Sequence, residues 1–321
     1  MDEILLQTKK LVKYFNTSRG LLHAVDNVDL KIPKGKTLGV VGESGCGKST
    51  LGRVILRLDE PTSGEILFKG EDVTAFKGER LEQFRRQASI VFQDPYASLN
   101  PRMSTSQIIE DPLIVNKLYN SAAERRDAVF KIMDLVGLAP RLVNSYPHEL
   151  DGGRRQRIGI ARSLILNPEF IVCDEPVSAL DVSIQAQILN LLMDLQDNLG
   201  LTYMFITHDL SVVKHISDEI MVMYMGVCVE KAKSKDLFRN PLHPYTKALI
   251  AAVPVPKLRE KGVKRTILKG EVSSPINLPP GCRFAPRCPY ACDKCRSDEN
   301  LSLRDVGDGH LLSCAVVAQN T

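Results

Sequence analysis

The chain has 321 residues, 44% of them hydrophobic and 25% charged, the balance of an ordinary globular protein with room for two or three folded units. A net charge of +4 over this length is too small to imply a nucleic-acid partner. The opening MDEILLQTKK has no basic stretch leading into an apolar one, and the longest apolar run, IMVMYMGVCV at 220–229, is about half of the ~20 residues that span a bilayer. A cytoplasmic chain without a secretory signal is therefore expected, any membrane role falling to partner chains.

KTLGVVG (36–42) reads as a short apolar strand and runs directly into GESGCGKST (42–50), then the helical text LGRVILRL. Residues 42–49 fit G-x-x-x-x-G-K-[ST], in which glycines let backbone N–H groups crowd around phosphates and the helix N-terminus adds partial positive charge. Lys48 is expected to reach the β- and γ-phosphates and Ser49 to ligate Mg²⁺. SIVF (89–92) is a second strand, and from about 96 to 150 helix-favouring text such as SAAERRDAVFKIMDLVGL predicts an inserted helical lobe. FIVCDEP (170–176) is an apolar strand ending in two acids, at the strand end where ligands of α/β folds bind. Asp174 is predicted to hold Mg²⁺, directly or through water, and Glu175 to polarise the attacking water as general base.

SIQAQILNLLMDLQDNLG (183–200) is an amphipathic helix and TYMFIT (202–207) a further strand. Short apolar strands spaced by helices indicate an α/β fold with a largely parallel, buried sheet. Beyond about 240, NPLHPY, AAVPVPK and SSPINLPPG punctuate an irregular tail, with His243, Pro244 and Tyr245 read as a turn entering a helix.

Of eight cysteines, Cys46 in the Gly-rich loop, Cys173 and Cys228 in apolar strands read as small inert residues. The other five, Cys282, Cys288, Cys292, Cys295 and Cys314, cluster in the tail as C-x5-C-x3-C-x2-C-x18-C. In a reducing compartment such a group points to metal or to redox chemistry rather than to a disulfide framework. Iron–sulfur clusters and structural zinc both use four thiolates; only one C-x2-C pair is present, so the irregular spacing favours a four-iron four-sulfur cluster over zinc.

The ordered motifs resemble those of the nucleotide-binding subunit of an ABC transporter, over roughly residues 4 to 240. Gln93 in IVFQD resembles the Q-loop glutamine, ELDGGRRQR (149–157) the signature, SALD (178–181) the D-loop and His208 in FITHD the switch histidine. The resemblance implies an ABC-type P-loop NTPase core at 1–95 and 151–240, a helical signature subdomain at 96–150, and an irregular cysteine-rich C-terminal extension at 241–321. It implies nucleotide contacts from Gly42, Ser44, Gly45, Cys46, Gly47, Lys48, Ser49, Thr50, Gln93 and Asp174, with Mg²⁺ held through Ser49 and Gln93 and with Glu175 and His208 catalytic. Phe15, with Tyr14 as runner-up, resembles the aromatic that stacks on adenine, and Asp181 either meets a partner subunit or caps the following helix.

The signature departs from the family's usual L-S-G-G-Q and reads Leu150, Asp151, Gly152, Gly153, Arg154. In the family this segment contacts nucleotide held by the opposite subunit, so a carboxylate at Asp151 repels phosphate unless it is protonated, turned aside, or paired with Arg154 or Arg155. A simple helix cap is the other reading.

NPLHPYTKALIAAVP (240–254) with the cysteine block resembles the extension of dipeptide and oligopeptide importer ATPases, in which four cysteines correspond to Cys282, Cys288, Cys295 and Cys314 and leave Cys292 as the extra. The resemblance thus implies a Mg²⁺-dependent ATPase, peripheral at the cytoplasmic face of the membrane, and no nucleic acid. The implied partners are a second ABC ATPase subunit, identical or similar, two transmembrane permease subunits and an extracytoplasmic substrate-binding protein. Import of nickel or oligosaccharide, a subunit with one degenerate composite site, and a soluble ABC ATPase acting on DNA or the ribosome are the alternatives.

Overall fold

The computed structural model describes residues 3–253, 275–278, 280–297 and 302–317. The chain divides into two compact units, the first made of Met1–Leu5, Pro33–Lys36 and Ala75–Ile206, the second of Leu6–Ile32, Thr37–Thr74 and Thr207–Thr321.

In the first unit three parallel strands pair in the order Ala88–Val91, Phe170–Asp174, Thr202–Ile206. All three were legible as apolar runs, and the central one is buried along its whole length, as a parallel strand covered on both faces must be. Helices Thr105–Val115, Ala122–Leu135 and Gly152–Leu164 pack on one another. The first two start in reciprocal caps, Ser104 with Gln107 and Ser121 with Glu124, which satisfy N–H groups that the first helical turn leaves without carbonyls. Gly152–Leu164 packs both on those helices and on the strand Ala88–Val91. Helix Val182–Leu199 buries Ile188, Leu189, Leu192 and Leu195 along one stripe and ends at Gly200, whose φ of 67° is the left-handed closure that glycine supplies most readily.

The second unit carries two sheets. In one, Ile4–Thr17 lies between Gly20–Pro33 and Ser63–Phe68, with Glu71–Asp72 at the far edge. In the other, Thr37–Val41 runs parallel to Glu219–Tyr224, which reverses at Met225 and Gly226 into antiparallel Val227–Lys233, followed by Leu311–Leu312 and Arg304–Asp305. The apolar run at 220–229 is therefore most of a buried hairpin. Among the described residues no helix is long and apolar enough to cross a membrane.

The region after 240 is less irregular than its punctuation suggests. Helix Pro244–Ala252 follows His243, and the last described strand, Leu311–Leu312, adds to the sheet through Glu230 and Lys231. Phe284, 1% exposed, packs its ring within 5.3 Å of Tyr224, 5.4 Å of Tyr245 and 5.6 Å of His243. These edge-to-face and tilted pairs add to the area that the ring buries and fix the extension to this unit's core.

Candidate functional site

In the second unit the phosphate loop joins Thr37–Val41 to helix Lys48–Ile55. Gly47 has φ 104°, and a Cβ there would stand 2.0 Å from the carbonyl oxygen of Ala24; one on Gly42 would stand 2.2 Å from that of Met223. Only glycine lets the loop lie this close to neighbouring backbone. The helix has no acidic residue in its first turn, so its N-terminal N–H groups and partial positive charge are uncompensated by a carboxylate there. Lys48 is 4% exposed and its ammonium donates to the carbonyls of Gly42 at 2.8 Å and Glu43 at 3.0 Å. Cys46 is buried, and burial pushes its thiol pKa up, so it acts as a small filler as expected.

His208 is exposed on the segment Thr207–Asp209, where Thr207 N–H donates to Val40 and Asp209 caps helix Leu210–Ile216 by accepting from Ser211 at 2.7 Å. The two aromatic candidates part company. Tyr14 donates its hydroxyl to Asp26 at 2.7 Å and lays its ring 4.1 Å from that of His23, and burial together with Asp26 pushes its pKa up to about 12. Phe15 is half-buried, with the Lys13 ammonium 4.7 Å from its ring centre.

In the first unit Gln93, exposed, donates its side-chain amide to Glu175 Oε2 at 2.9 Å. Glu175 follows the buried Asp174 at the strand end with φ 45°, a left-handed conformation that a non-glycine side chain adopts at a cost of about 1–3 kcal/mol. Its N–H donates to Ile206 at 2.9 Å, which holds it there. The structure thus brings Gln93 and Glu175 together. Asp181 occupies the N-cap position of Val182–Leu199 but makes no side-chain capping bond.

Asp151 caps its helix. Its Oδ1 accepts from Arg154 N–H at 2.8 Å and its Oδ2 lies 3.2 Å from the Arg154 guanidinium, so the carboxylate is turned to its own helix N-terminus and paired. Arg155 serves otherwise, donating to the Pro147 carbonyl with its guanidinium 3.8 Å over the Tyr96 ring. Gly153 is required by packing: a Cβ would stand 2.8 Å from Ile184.

The tail thiols differ from expectation. Among the described residues no three cysteine, histidine or acidic side chains are set to hold a metal ion, so Cys282, Cys288, Cys295 and Cys314 are not arranged as a ligand quartet. Cys292, expected to be the extra, is exposed yet lies 3.6 Å, sulfur to sulfur, from the buried Cys295. Burial pushes the Cys282 thiol up to about 11 and raises Cys288 and Cys295, while hydrogen bonds from Cys295, first its backbone and then its thiol, lower Cys292. Metals bind thiolates, so three of these groups would need the charge of a cation to ionise.

Contacts from the extension to the phosphate loop and to Asp26 escaped the sequence reading, because they span more than two hundred residues and carry no local pattern. Tyr245 Oη accepts from Glu43 N–H at 2.8 Å, and Arg287 grips the Glu43 carboxylate with both guanidinium ends, at 2.7 and 3.0 Å. Arg283 pairs with Asp26. Burial by itself would raise the Asp26 pKa, but hydrogen bonds from Tyr14, the charge of Arg283 and a bond from His23 hold it below the usual range.

The family model for ABC transporters matches residues 25–178, and that for the oligopeptide/dipeptide transporter C-terminal region matches 229–295. The dipeptide transport ATP-binding protein DppF of Haemophilus influenzae is 52% identical over 318 residues, 97% of this chain and 96% of that one. This chain belongs to the ATP-binding subunits of ABC transporters. The oligopeptide transport ATP-binding protein AppF of Bacillus subtilis is 48% identical to this ABC subunit over 322 residues, 98% of the chain and 97% of the relative. Among solved structures, the dimeric ATP-binding cassette MJ0796 bound to ADP and Pi superposes with a TM-score of 0.66 at 31% identity, over 72% of this subunit and 99% of that chain. CbiO1 of Clostridium perfringens superposes with a TM-score of 0.66 at 28% identity, over 74% and 92%. The subunit has the ABC-type P-loop fold with mixed α/β sheets and is an ATPase of that class.

Proposed function

We propose that this ABC subunit hydrolyses ATP to drive import of dipeptides or oligopeptides. The observation that carries the cargo class is the match of residues 229–295 to the peptide-transporter C-terminal region, together with the near full-length likeness to dipeptide and oligopeptide transport proteins. On this reading it works with a second ABC ATPase subunit, two transmembrane permease subunits and an extracytoplasmic binding protein, at the cytoplasmic face of the membrane.

In the second unit the glycine-built loop and helix N-terminus receive the phosphates, and Lys48 exchanges its bonds to Gly42 and Glu43 for phosphate oxygens. Phe15 offers a ring face for the base, Tyr14 being engaged with Asp26. His208 donates to the γ-phosphate from the segment that its neighbours fix. In the first unit the Gln93 amide nitrogen is committed to Glu175, which leaves its carbonyl oxygen for a cation, and in the second unit Ser49 offers a hydroxyl; each is a hard oxygen of the kind that would hold Mg²⁺. Mg²⁺, when bound, neutralises phosphate charge. Glu175 orients the attacking water and accepts its proton as general base, and Asp174 would hold Mg²⁺, directly or through water. Gly152 and Gly153 serve nucleotide held by the partner chain, with Asp181 at that contact.

We also propose a nucleotide-binding core at 1–95 and 151–240, a helical signature subdomain at 96–150 and an extension at 241–321. The extension is further proposed to carry a four-iron four-sulfur cluster, or zinc, on Cys282, Cys288, Cys295 and Cys314, which requires the thiols to draw together when metal binds. The test is ATP turnover by the complex reconstituted with its permease subunits. Glu175→Gln should lower it by about 10²–10⁴, and unimpaired turnover would remove Glu175 from the mechanism. Stimulation of the wild-type complex by nickel or an oligosaccharide, and not by peptides, would reassign the cargo.

A further inference from the structure

The phosphate loop of this subunit contains a fixed negative charge. Glu43 is the first residue after Gly42, and its carbonyl accepts from Lys48 at 3.0 Å and from Cys46 N–H at 3.3 Å, so its backbone is part of the phosphate cradle. A free carboxylate there would oppose an incoming polyphosphate. It is not free: Arg287 Nη1 donates to Oε2 at 2.7 Å and Nη2 to Oε1 at 3.0 Å, a two-pronged match of guanidinium to carboxylate. The Arg287 side chain is 7% exposed and that of Glu43 25%, so water screens this pair far less than a surface pair.

Arg287 is itself held in place. Its guanidinium also reaches the Tyr224 hydroxyl at 3.5 Å and lies 5.9 Å from that ring, while Phe284, three residues before it, is locked among Tyr224, Tyr245 and His243. Tyr245, from the same extension, takes the Glu43 N–H at 2.8 Å. A guanidinium stays protonated at every physiological pH, so the cation facing Glu43 persists.

We propose that Arg287 is a positioning residue for ATP: it neutralises Glu43 and draws its carboxylate toward the extension, so that the loop meets phosphate as a cradle of N–H groups and Lys48. This rests on the loop binding ATP, and the wild-type subunit's own nucleotide affinity tests that premise separately. The extension then tunes nucleotide affinity from outside the nucleotide motifs. Removing the charge of Arg287 exposes the carboxylate to the phosphates; removing the charge of Glu43 as well makes Arg287 dispensable.

The experiment uses the full chain in its transporter complex, with ATP as the probe, and compares Arg287→Met, Arg287→Lys and the double variant Arg287→Met with Glu43→Gln. Arg287→Met should raise KM for ATP about tenfold with kcat within about twofold, an effect that shrinks as salt is raised. Arg287→Lys, which keeps the charge but loses the fork, should fall between it and the wild type. The double variant should return KM to within about twofold of wild type. Nucleotide-free melting temperatures separate this from loss of folding: a merely structural bridge would lower melting in the single variant and leave KM unrescued in the double. An unchanged KM in Arg287→Met, or a double variant as impaired as the single one, overturns the proposal.

Discussion

Replacing His243 by asparagine isolates the acid sensitivity of the joint between the extension and the rest of the second unit. His243 is 1% exposed, and its Nδ1 accepts from Tyr245 N–H at 3.1 Å, so that nitrogen must be unprotonated in the folded chain. Burial lowers its pKa to about 4 from 6.5, partly opposed by the charge of Glu230. Above pH 6.5 the imidazole is neutral both folded and unfolded, and it contributes no pH dependence. As pH falls below 6.5 the unfolded chain takes up a proton that the folded chain refuses, so stability declines until about pH 4. With 1.36 kcal/mol per unit, the loss is about 2 kcal/mol by pH 5 and about 3 kcal/mol in all. Asparagine preserves a capping acceptor and cannot protonate. Urea unfolding followed by far-UV circular dichroism, which suits a chain without tryptophan, should therefore show the wild type losing about 2 kcal/mol more than His243→Asn between pH 7 and pH 5. Equal slopes in the two proteins would refute the assignment of a buried neutral histidine.

Asp151→Ser retains a capping side chain, so helix Gly152–Leu164 should be unaffected, and because the carboxylate already faces Arg154, ATP turnover of the partnered complex should change by less than about threefold. A gain of tenfold or more, read by phosphate release, would revive the degenerate composite site. For the tail thiols, anaerobic purification should give a brown protein absorbing near 400 nm, a colour that survives Cys292→Ser. Colourless protein with one zinc per chain would replace iron–sulfur by zinc.

The sequence made the strands Thr37–Val41, Phe170–Asp174 and Thr202–Ile206 legible because burial on both faces forces unbroken apolar runs. Ile4–Thr17 and Gly20–Pro33 were not legible. In the first of them the register with Ser63–Phe68 shifts between Lys9 and Val12, where Lys10 takes φ 46° and donates its N–H to Asp29 at 2.6 Å. That bulge breaks the two-residue alternation on which a strand reading depends. The phosphate loop and the strand-end acids announced themselves because local backbone geometry demands particular residue types there. Arg287 and Tyr245 did not, since a salt bridge or hydroxyl contact across two hundred residues asks nothing of its neighbours in sequence. Asp151 was ambiguous for another reason: one carboxylate can cap, pair or repel, and only the direction of its oxygens decides.

The second unit is assembled from both ends of the chain, and this bears on the order in which the protein can be made. All segments of the first unit have been synthesised by residue 206, whereas the second still awaits Thr207–Thr321, including the strand Glu219–Tyr224 that pairs with Thr37–Val41. Leu22 bridges to Ile276, Asp26 to Arg283 and Glu43 to Arg287, so the strands and loop that come off the ribosome first close their contacts last. Such long-range closure is slow and leaves apolar strand faces open in the meantime. The phosphate loop acquires the contacts of Tyr245 and Arg287 with Glu43 only after those residues of the extension have been translated.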